Sequence, residues 1–215
     1  MKKAFVFVLV LMFLVLAGCN NSDLISTASK GSDSLPQWKK LYLDTLEDIK
    51  DDYREFALIY IDSDNIPELY VSGKDEATGD KILAVKNNAL LTQYLLRIGG
   101  SYYIPKSGLI LNQNGHMGTY HTDIYRLETE FEQLFSGLRT ESIKGSETNY
   151  ELIEKYYTNI KIANNDYEGD EVTEAEFNEE IGNLFDLSKK VSMNETTYSY
   201  DEILNKIVNY WFMYV

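Results

Sequence analysis

The change from helical to strand periodicity falls in residues 56–69, which read FALIYIDSDNIPEL. Residues 56–61 are apolar or aromatic and favour a β-strand, and apolar residues resume at Leu69. Between the two runs lies a turn that contains aspartate and proline. Short β-prone runs joined by a turn of this composition are typical of a β-hairpin. The stretch therefore predicts that a sheet begins at Phe56.

Upstream of this hairpin the apolar residues follow a helical spacing. They recur every three or four residues, which places them on one face of a helix: Trp38, Leu41, Tyr42, Leu46 and Ile49. We expect the helix to begin near Ser34, because Ser34 can cap it, Pro36 suits its first turn and Gln37 can complete a capping box. This part of the chain predicts one helix with a single buried stripe.

Downstream, short apolar segments alternate with turn residues. The predicted strands are 56–61, 69–71, 82–86, 90–98, 102–104, 109–111, 117–127 and 132–138. The links between them are too short for crossover helices, so we expect antiparallel pairing in a meander. Residues 90–98 can also be interpreted as one or two helical turns, since apolar runs of that length are ambiguous.

The last third of the chain predicts a mixture of element types. Residues 150–162 suit one or two strands or a helix, and 164–169 suit a loop. Capping boxes then stand at 173–176 and 199–202, and each predicts the start of a helix. The residues expected to face inward are Phe177, Ile181, Leu184, Phe185, Ile203, Ile207, Tyr210, Trp211 and Tyr214. The fold class predicted is α+β: an N-terminal helix, an antiparallel β meander, and two C-terminal helices packed on one sheet face.

The first twenty residues carry an export signal. Two lysines precede an apolar run over residues 4–17, and small residues follow before Cys19; this order is typical of a bacterial signal peptide. The sequence Leu16-Ala17-Gly18-Cys19 resembles the lipobox of bacterial lipoproteins. That resemblance implies a diacylated Cys19 and removal of residues 1–18. The alternative is an uncut membrane anchor, but a span needs roughly 20 apolar residues, and this run is shorter.

A lipidated Cys19 predicts the domain organisation and the location of the protein. Residues 19–34 would form the acylated cysteine and a flexible polar tether, and residues 35–215 a single globular domain. Two acyl chains hold a protein to a membrane far better than one, so we expect anchoring to the extracytoplasmic face of the cell membrane. Cys19 is the only cysteine, so the domain cannot form an internal disulfide.

The charge balance restricts the classes of partner. The formal net charge is −14 at pH 7, and so acidic a surface is repelled by phosphates of nucleic acids and by anionic lipid headgroups. We therefore expect no nucleic-acid partner. Cations or a basic partner suit the charge better, although acidity also serves solubility alone.

Asp62, Asp64 and Glu68 bring three carboxylates into one turn. Calcium takes about six to eight oxygen ligands, and alternating acids in a tight turn present several oxygens to one point. The stretch resembles the Asp-rich strand-turn-strand of exported proteins from gut Gram-positive bacteria, and it is similar to the calcium loops of FG-GAP repeats and, more distantly, of EF-hands. The resemblance implies a calcium site at these three residues. Tyr60 and Asn65 depart from the pattern, where aspartate and glycine are usual.

Two interpretations of this turn stay open. In the first, the carboxylates bind calcium, with the Ile66 carbonyl as a further ligand. In the second, the turn is an ordinary hairpin link: Asp62 and Asp64 bond their own backbone, Pro67 sets the bend, and Glu68 is exposed.

Catalytic patterns are weak, so an enzyme is not favoured. His116 and His121 are five residues apart, and on one strand an odd separation sends their side chains to opposite faces. Carboxylates are numerous, but no spacing selects the pair that glycoside cleavage requires.

The 17 tyrosines are the other unusual feature. Tyr102, Tyr103, Tyr120 and Tyr125 are candidates for a face that binds sugar or protein, and packing in the core is the alternative. Adjacent tyrosines put one ring on each face of a strand.

These observations predict a membrane-tethered extracytoplasmic lipoprotein that acts as a binding or accessory module. Its partners would be the membrane, through the lipid anchor, and a protein or glycan ligand. Two alternatives remain at this level: a small surface glycan hydrolase that uses a carboxylate pair, and a protective or inhibitory lipoprotein of the envelope.

Overall fold

The computed structural model describes residues 35–146, 149–163 and 166–210. The chain separates into two units, Met1–Leu35 and Pro36–Val215, and every element described below belongs to the second. The predicted signal peptide, Cys19 and the tether therefore lie outside the described residues. None of the helices in the described ranges has the length and apolar character needed to span a bilayer.

The smaller of two antiparallel sheets follows the first helix. Helix α1 covers Gln37–Ile49, and the strands are β1 Tyr53–Ile59, β2 Glu68–Gly73, β3 Asp80–Lys86 and β4 Ala89–Leu95, paired in that order. The β3–β4 turn uses Asn87 and Asn88, which both have positive φ, as the tight turns of hairpins require. Residues 90–95 are thus strand, and the helical alternative for this segment is wrong.

The larger sheet takes up most of the remaining chain. Its strands are β5 Gly100–Tyr103, β6 Leu109–His116, β7 Thr119–Leu127, β8 Phe131–Ser146, β9 Asn149–Ala163, β10 Asp166–Val172 and β11 Val191–Ser192. Their spatial order is β10-β9-β8-β7-β6-β5-β11, with every neighbouring pair antiparallel. The remaining elements are helix α2, Glu174–Leu184, a 3₁₀ turn, Leu187–Lys189, and helix α3, Tyr200–Val208.

The two sheets pack face to face, with helices on both outer faces. Trp38 and Tyr42 of α1 join Ile203 and Ile207 of α3 in a cluster on the outer face of the smaller sheet. The inner face of that sheet packs against Ile110 and its neighbours on the larger sheet. On the outer face of the larger sheet, α2 contributes a third cluster. The layer order is α1 and α3, smaller sheet, larger sheet, α2.

The α+β class, the N-terminal helix and the two C-terminal helices are confirmed. The placement of both C-terminal helices on one sheet face is wrong, because α2 covers the larger sheet and α3 the smaller one. The cause lies in β2, whose six residues are all buried. A sheet that is apolar on both faces must be covered on both, so the meander divides into two stacked sheets after Leu95.

Smaller differences concern element boundaries. Residues 150–162 lie within the single strand β9, and 166–169 of the expected loop belong to β10. Helix α1 has Pro36 at its N-cap with no side-chain cap bond, while Ser34 lies outside the described residues. Both predicted capping boxes are present, at Thr173 and Ser199. Trp211 and Tyr214 are also outside the described part of the chain.

Candidate functional site

The link between β1 and β2 is held by its own aspartates. The backbone N–H of Asp64 donates to Asp62 Oδ1 at 2.9 Å, and that of Ile66 donates to Asp64 Oδ1 at 2.7 Å. Such bonds, two residues apart, allow the chain to turn without a regular ladder. In each aspartate, Oδ1 therefore accepts a hydrogen bond from the backbone, and Oδ2 can interact with another partner.

Glu68 is buried at the first position of β2, with 1% of its surface exposed. The hairpin interpretation expected it to be exposed, and that detail is wrong. Its Oε2 accepts a hydrogen bond of 2.8 Å from the backbone N–H of Ile61. Burial raises the pKa of Glu68 to about 7, and the charges of Asp62 and Asp64 act in the same direction, against the Ile61 N–H and Lys86. A carboxyl group in this position is poised between its charged and neutral forms near neutral pH.

The ammonium group of Lys86 lies among the three carboxylates. Lys86 Nζ bonds Asp62 Oδ2, lies 2.6 Å from Asp64 Oδ2 and is 3.6 Å from Glu68 Oε1. Only 10% of the Lys86 side chain is exposed. Burial by itself would lower the pKa of Lys86, but the hydrogen bonds to Asp62 and Asp64 raise it. Lys86 is therefore charged at neutral pH and acts as the counter-ion of the turn.

Helix α1 reaches the same turn through Tyr42. The fully buried hydroxyl group donates toward the carbonyl oxygens of Pro67 at 2.9 Å and Leu83 at 3.0 Å. Burial, and next the charge of Glu68, hold the pKa of Tyr42 well above its usual value. The phenol stays protonated and ties the helix to the end of the hairpin.

The predicted metal-ligating residues do come together. One oxygen from each of Asp62, Asp64 and Glu68 lies within 4.8 Å of the others. Hard cations prefer such oxygens, so the donor set fits a cation. The oxygens not bonded to the backbone all face Lys86, however, and a calcium ion could use them only after the ammonium had moved away.

Lys86 was not foreseen from the sequence. The register pairs Leu69 with Leu83, so Lys86, three residues beyond Leu83, continues alongside the Asp62 turn. The sequence shows a lysine one hairpin away from three acids. Its ion pairs with those acids can be inferred only when the pairing of β2 with β3 is known.

The four candidate tyrosines do not form one surface. Tyr102 packs toward the α2 side of the larger sheet, whereas Tyr103 packs between the sheets, as expected for neighbours on a strand. Tyr125 also lies between the sheets. Tyr120 lies under the Arg139 guanidinium at 4.1 Å, and its hydroxyl donates to Glu141 at 3.2 Å. Ligand binding by any of them stays a prediction.

The two histidines lie on neighbouring strands, so the expectation of one shared strand is wrong. A turn at Met117 and Gly118, both with positive φ, separates them. His116 is exposed, while the ring of His121 packs against Tyr167 at a centroid distance of 5.0 Å. Burial lowers the pKa of His121. Neither histidine belongs to the acidic cluster found in the described ranges.

Comparisons of the chain with protein-family models, with curated proteins and with solved structures found no match.

Proposed function

We propose that this protein is a lipid-anchored lipoprotein of the extracytoplasmic membrane face, and that its α+β domain is a binding module. The observation that carries the proposal is the lipobox-like Leu16-Ala17-Gly18-Cys19 at the end of a short apolar run. Residues 20–34, polar and rich in serine, would act as a tether. A flexible chain of that length spans about 20 Å on average, which would let the domain turn freely above the headgroups.

The chemistry of the Asp62 turn favours binding or structural work over catalysis. A general acid or base must face a substrate, whereas the carboxylates of Asp62, Asp64 and Glu68 face Lys86 and the backbone of their own turn. Through these bonds to Lys86 and to the backbone, the three carboxylates stabilise the β1–β2 hairpin. This supports a rigid module over a hydrolase that uses these three residues.

Production of the full chain in a lipidating bacterium tests the anchor. We expect the wild type to partition into the detergent phase of a phase-separating non-ionic detergent. Cys19→Ser removes the acylation site and should move the protein to the aqueous phase or leave its signal uncut. The anchor proposal fails when wild type and variant partition alike and their N-terminal residues are the same.

Calcium at the Asp62 turn is a second proposal, and it requires displacement of Lys86. Three carboxylate oxygens supply fewer than the roughly six to eight ligands that calcium takes, so carbonyl oxygens and water would complete the shell. Lys86→Gln removes the competing charge and leaves the acids unneutralised.

We expect Lys86→Gln to lower the melting temperature without calcium, because removing one partner of a buried ion group is costly. Millimolar calcium should then raise the melting temperature of the variant by several degrees and that of the wild type by less. Lys144→Gln, an exposed lysine of β8, is the control for loss of one positive charge. If calcium raises the melting temperature of all three proteins equally, or of none of them, the metal proposal is wrong.

A further inference from the structure

An open depression of about 560 Å³ lies at one end of the smaller sheet. Three separate segments line it: Arg54 of β1, residues 74–77 of the β2–β3 loop, and Arg97 with Ile98 of the β4–β5 link. Five of the lining side chains are charged: Arg54, Lys74 and Arg97 are basic, and Asp75 and Glu76 are acidic. The lining therefore carries a formal charge of +1, in a chain whose formal net charge is −14.

Arg54 owes its position to an irregularity in β1. Tyr53 pairs with Gly73 and Glu55 pairs with Ser72, so Arg54 is the extra residue of a β-bulge. Bulges redirect a side chain out of the regular alternation of a strand. Arg54 is exposed, and its guanidinium has no hydrogen bond or ion pair with any residue that the structure describes.

Lys74 lies opposite on the β2–β3 loop. Its backbone N–H donates to the Asp52 carbonyl at 3.1 Å, which attaches the loop to the start of β1. Its ammonium group is exposed and has no partner within the described ranges.

Of the two acids in the lining, Asp75 is engaged in its own turn, where Oδ1 accepts from Thr78 N at 2.9 Å and Thr78 Oγ1 at 2.8 Å. Its charge also interacts with that of Arg97. The other acid, Glu76, is exposed.

Arg97, by contrast, is held in place. Its Nη1 donates to the Gly73 carbonyl at 2.6 Å, and its Nε lies 3.8 Å from Asp80 Oδ1. Asp80 is itself buried and accepts a 2.6 Å hydrogen bond from the Tyr70 hydroxyl. A guanidinium carries five N–H donors in a planar fork. Arg97 is thus oriented by a buried network and keeps donors for a ligand at the wall of the depression.

We infer that this depression binds a ligand that bears a carboxylate or phosphate group, with Arg97 as the fixed donor and Arg54 and Lys74 as the mobile ones. Arginine recognises both oxyanions through paired hydrogen bonds. Ile98 and Ala77 at the rim offer apolar contact to the rest of the ligand, and the volume lies in the range of small-molecule sites. The inference names a ligand class for the binding module and rests on that part of the proposed function.

Isothermal titration of the full-length lipoprotein in detergent tests the inference, with pyrophosphate and citrate as the two probes at low salt. We expect at least one probe to bind with a dissociation constant of about 1 mM or tighter. Pyrophosphate alone would assign a phosphate ligand and citrate alone a carboxylate ligand. The double variant Arg54→Gln/Lys74→Gln should weaken binding at least about tenfold, because it removes two charge-assisted contacts.

Lys144→Gln/Lys161→Gln is the matched control, since it changes the net charge equally at exposed positions of β8 and β9. It should change the affinity by less than about twofold, because neither lysine lines the depression and neither can therefore donate a hydrogen bond to the ligand. Arg97→Lys keeps the charge but loses the planar fork, and we expect about tenfold weaker binding. If the double variant Arg54→Gln/Lys74→Gln fails to fold, the anion affinity of the single variant Lys74→Gln is compared with that of Lys144→Gln instead.

No heat from either probe at 20-fold the expected dissociation constant would overturn the inference, and so would equal weakening in both double variants. The detergent-partition assay measures lipid anchoring independently of anion binding. Loss of anion binding with normal partitioning rejects the anion site alone, whereas anion binding without lipidation rejects the anchor alone.

Discussion

Glu68 is the residue in which burial and charge conflict most directly. It is a carboxyl group with almost no contact with water, close to two other acids and one ammonium group. Its raised pKa means that the folded protein holds this proton more tightly than the unfolded chain does. Between the ordinary value of 4.5 and about 7, the folded state binds more protons, so stability from this group is full below that window and is lost as the pH rises through it.

Glu68→Gln should remove this pH dependence, because the amide is neutral throughout and keeps an oxygen for the Ile61 N–H. The wild type should lose about 2–3 kcal/mol of unfolding free energy relative to the variant between pH 5 and pH 8, as the shift of pKa implies. Urea denaturation at both pH values measures the difference. Glu130→Gln, at an exposed turn residue, should show no such change. If the free energies of unfolding of wild type and Glu68→Gln differ by the same amount at both pH values, the raised pKa of Glu68 is contradicted.

At the scale of the element, the contact between α2 and the larger sheet depends on one missing side chain. A Cβ atom on Gly137 of β8 would lie 2.5 Å from the Phe135 ring and 2.6 Å from the Phe177 ring. Those rings pack edge to face at 5.6 Å between centroids. Both are buried, so neither can move aside without disturbing the cluster. Gly182, within α2 itself, has nothing within 4 Å of such an atom.

The same substitution at these two glycines should therefore have opposite effects. Gly137→Ala should lower the unfolding free energy by about 1–3 kcal/mol through overpacking. Gly182→Ala should raise it by up to about 1 kcal/mol, because alanine favours a helix interior. Chemical denaturation of the two variants beside the wild type gives both values. A stable Gly137→Ala protein would show that α2 does not pack as described.

An element can be predicted well when the residues that specify it are close together in the sequence. The capping boxes at Thr173 and Ser199 lie within four residues each, and both helices begin there. Strand β10 carries no apolar alternation, and residues 167–171 are all exposed, so nothing in its composition separated it from a loop. The three acids of the candidate site are close in sequence and could be grouped in advance. Lys86 and the depression at the end of the smaller sheet depend on strand register and a bulge, which single-sequence patterns do not encode.

At the scale of the whole molecule, two stacked sheets with helices outside form a core without a disulfide. Three apolar clusters account for it, one on each outer face and one between the sheets. Burial of apolar surface on both sides of a sheet contributes roughly 25 cal/mol per Å², so a chain without cross-links can still be stable outside the cytoplasm. The proposal of an exported module whose only thiol carries a lipid rests on the sequence of residues 1–19 and not on this core.

Mass analysis of the N-terminal peptide of the mature protein, purified from a lipidating bacterium, tests that proposal most directly. We expect a chain that starts at Cys19 and carries a diacylglyceryl group, with no peptide from residues 1–18. An unmodified Cys19 in a chain that still starts at Met1 would contradict it.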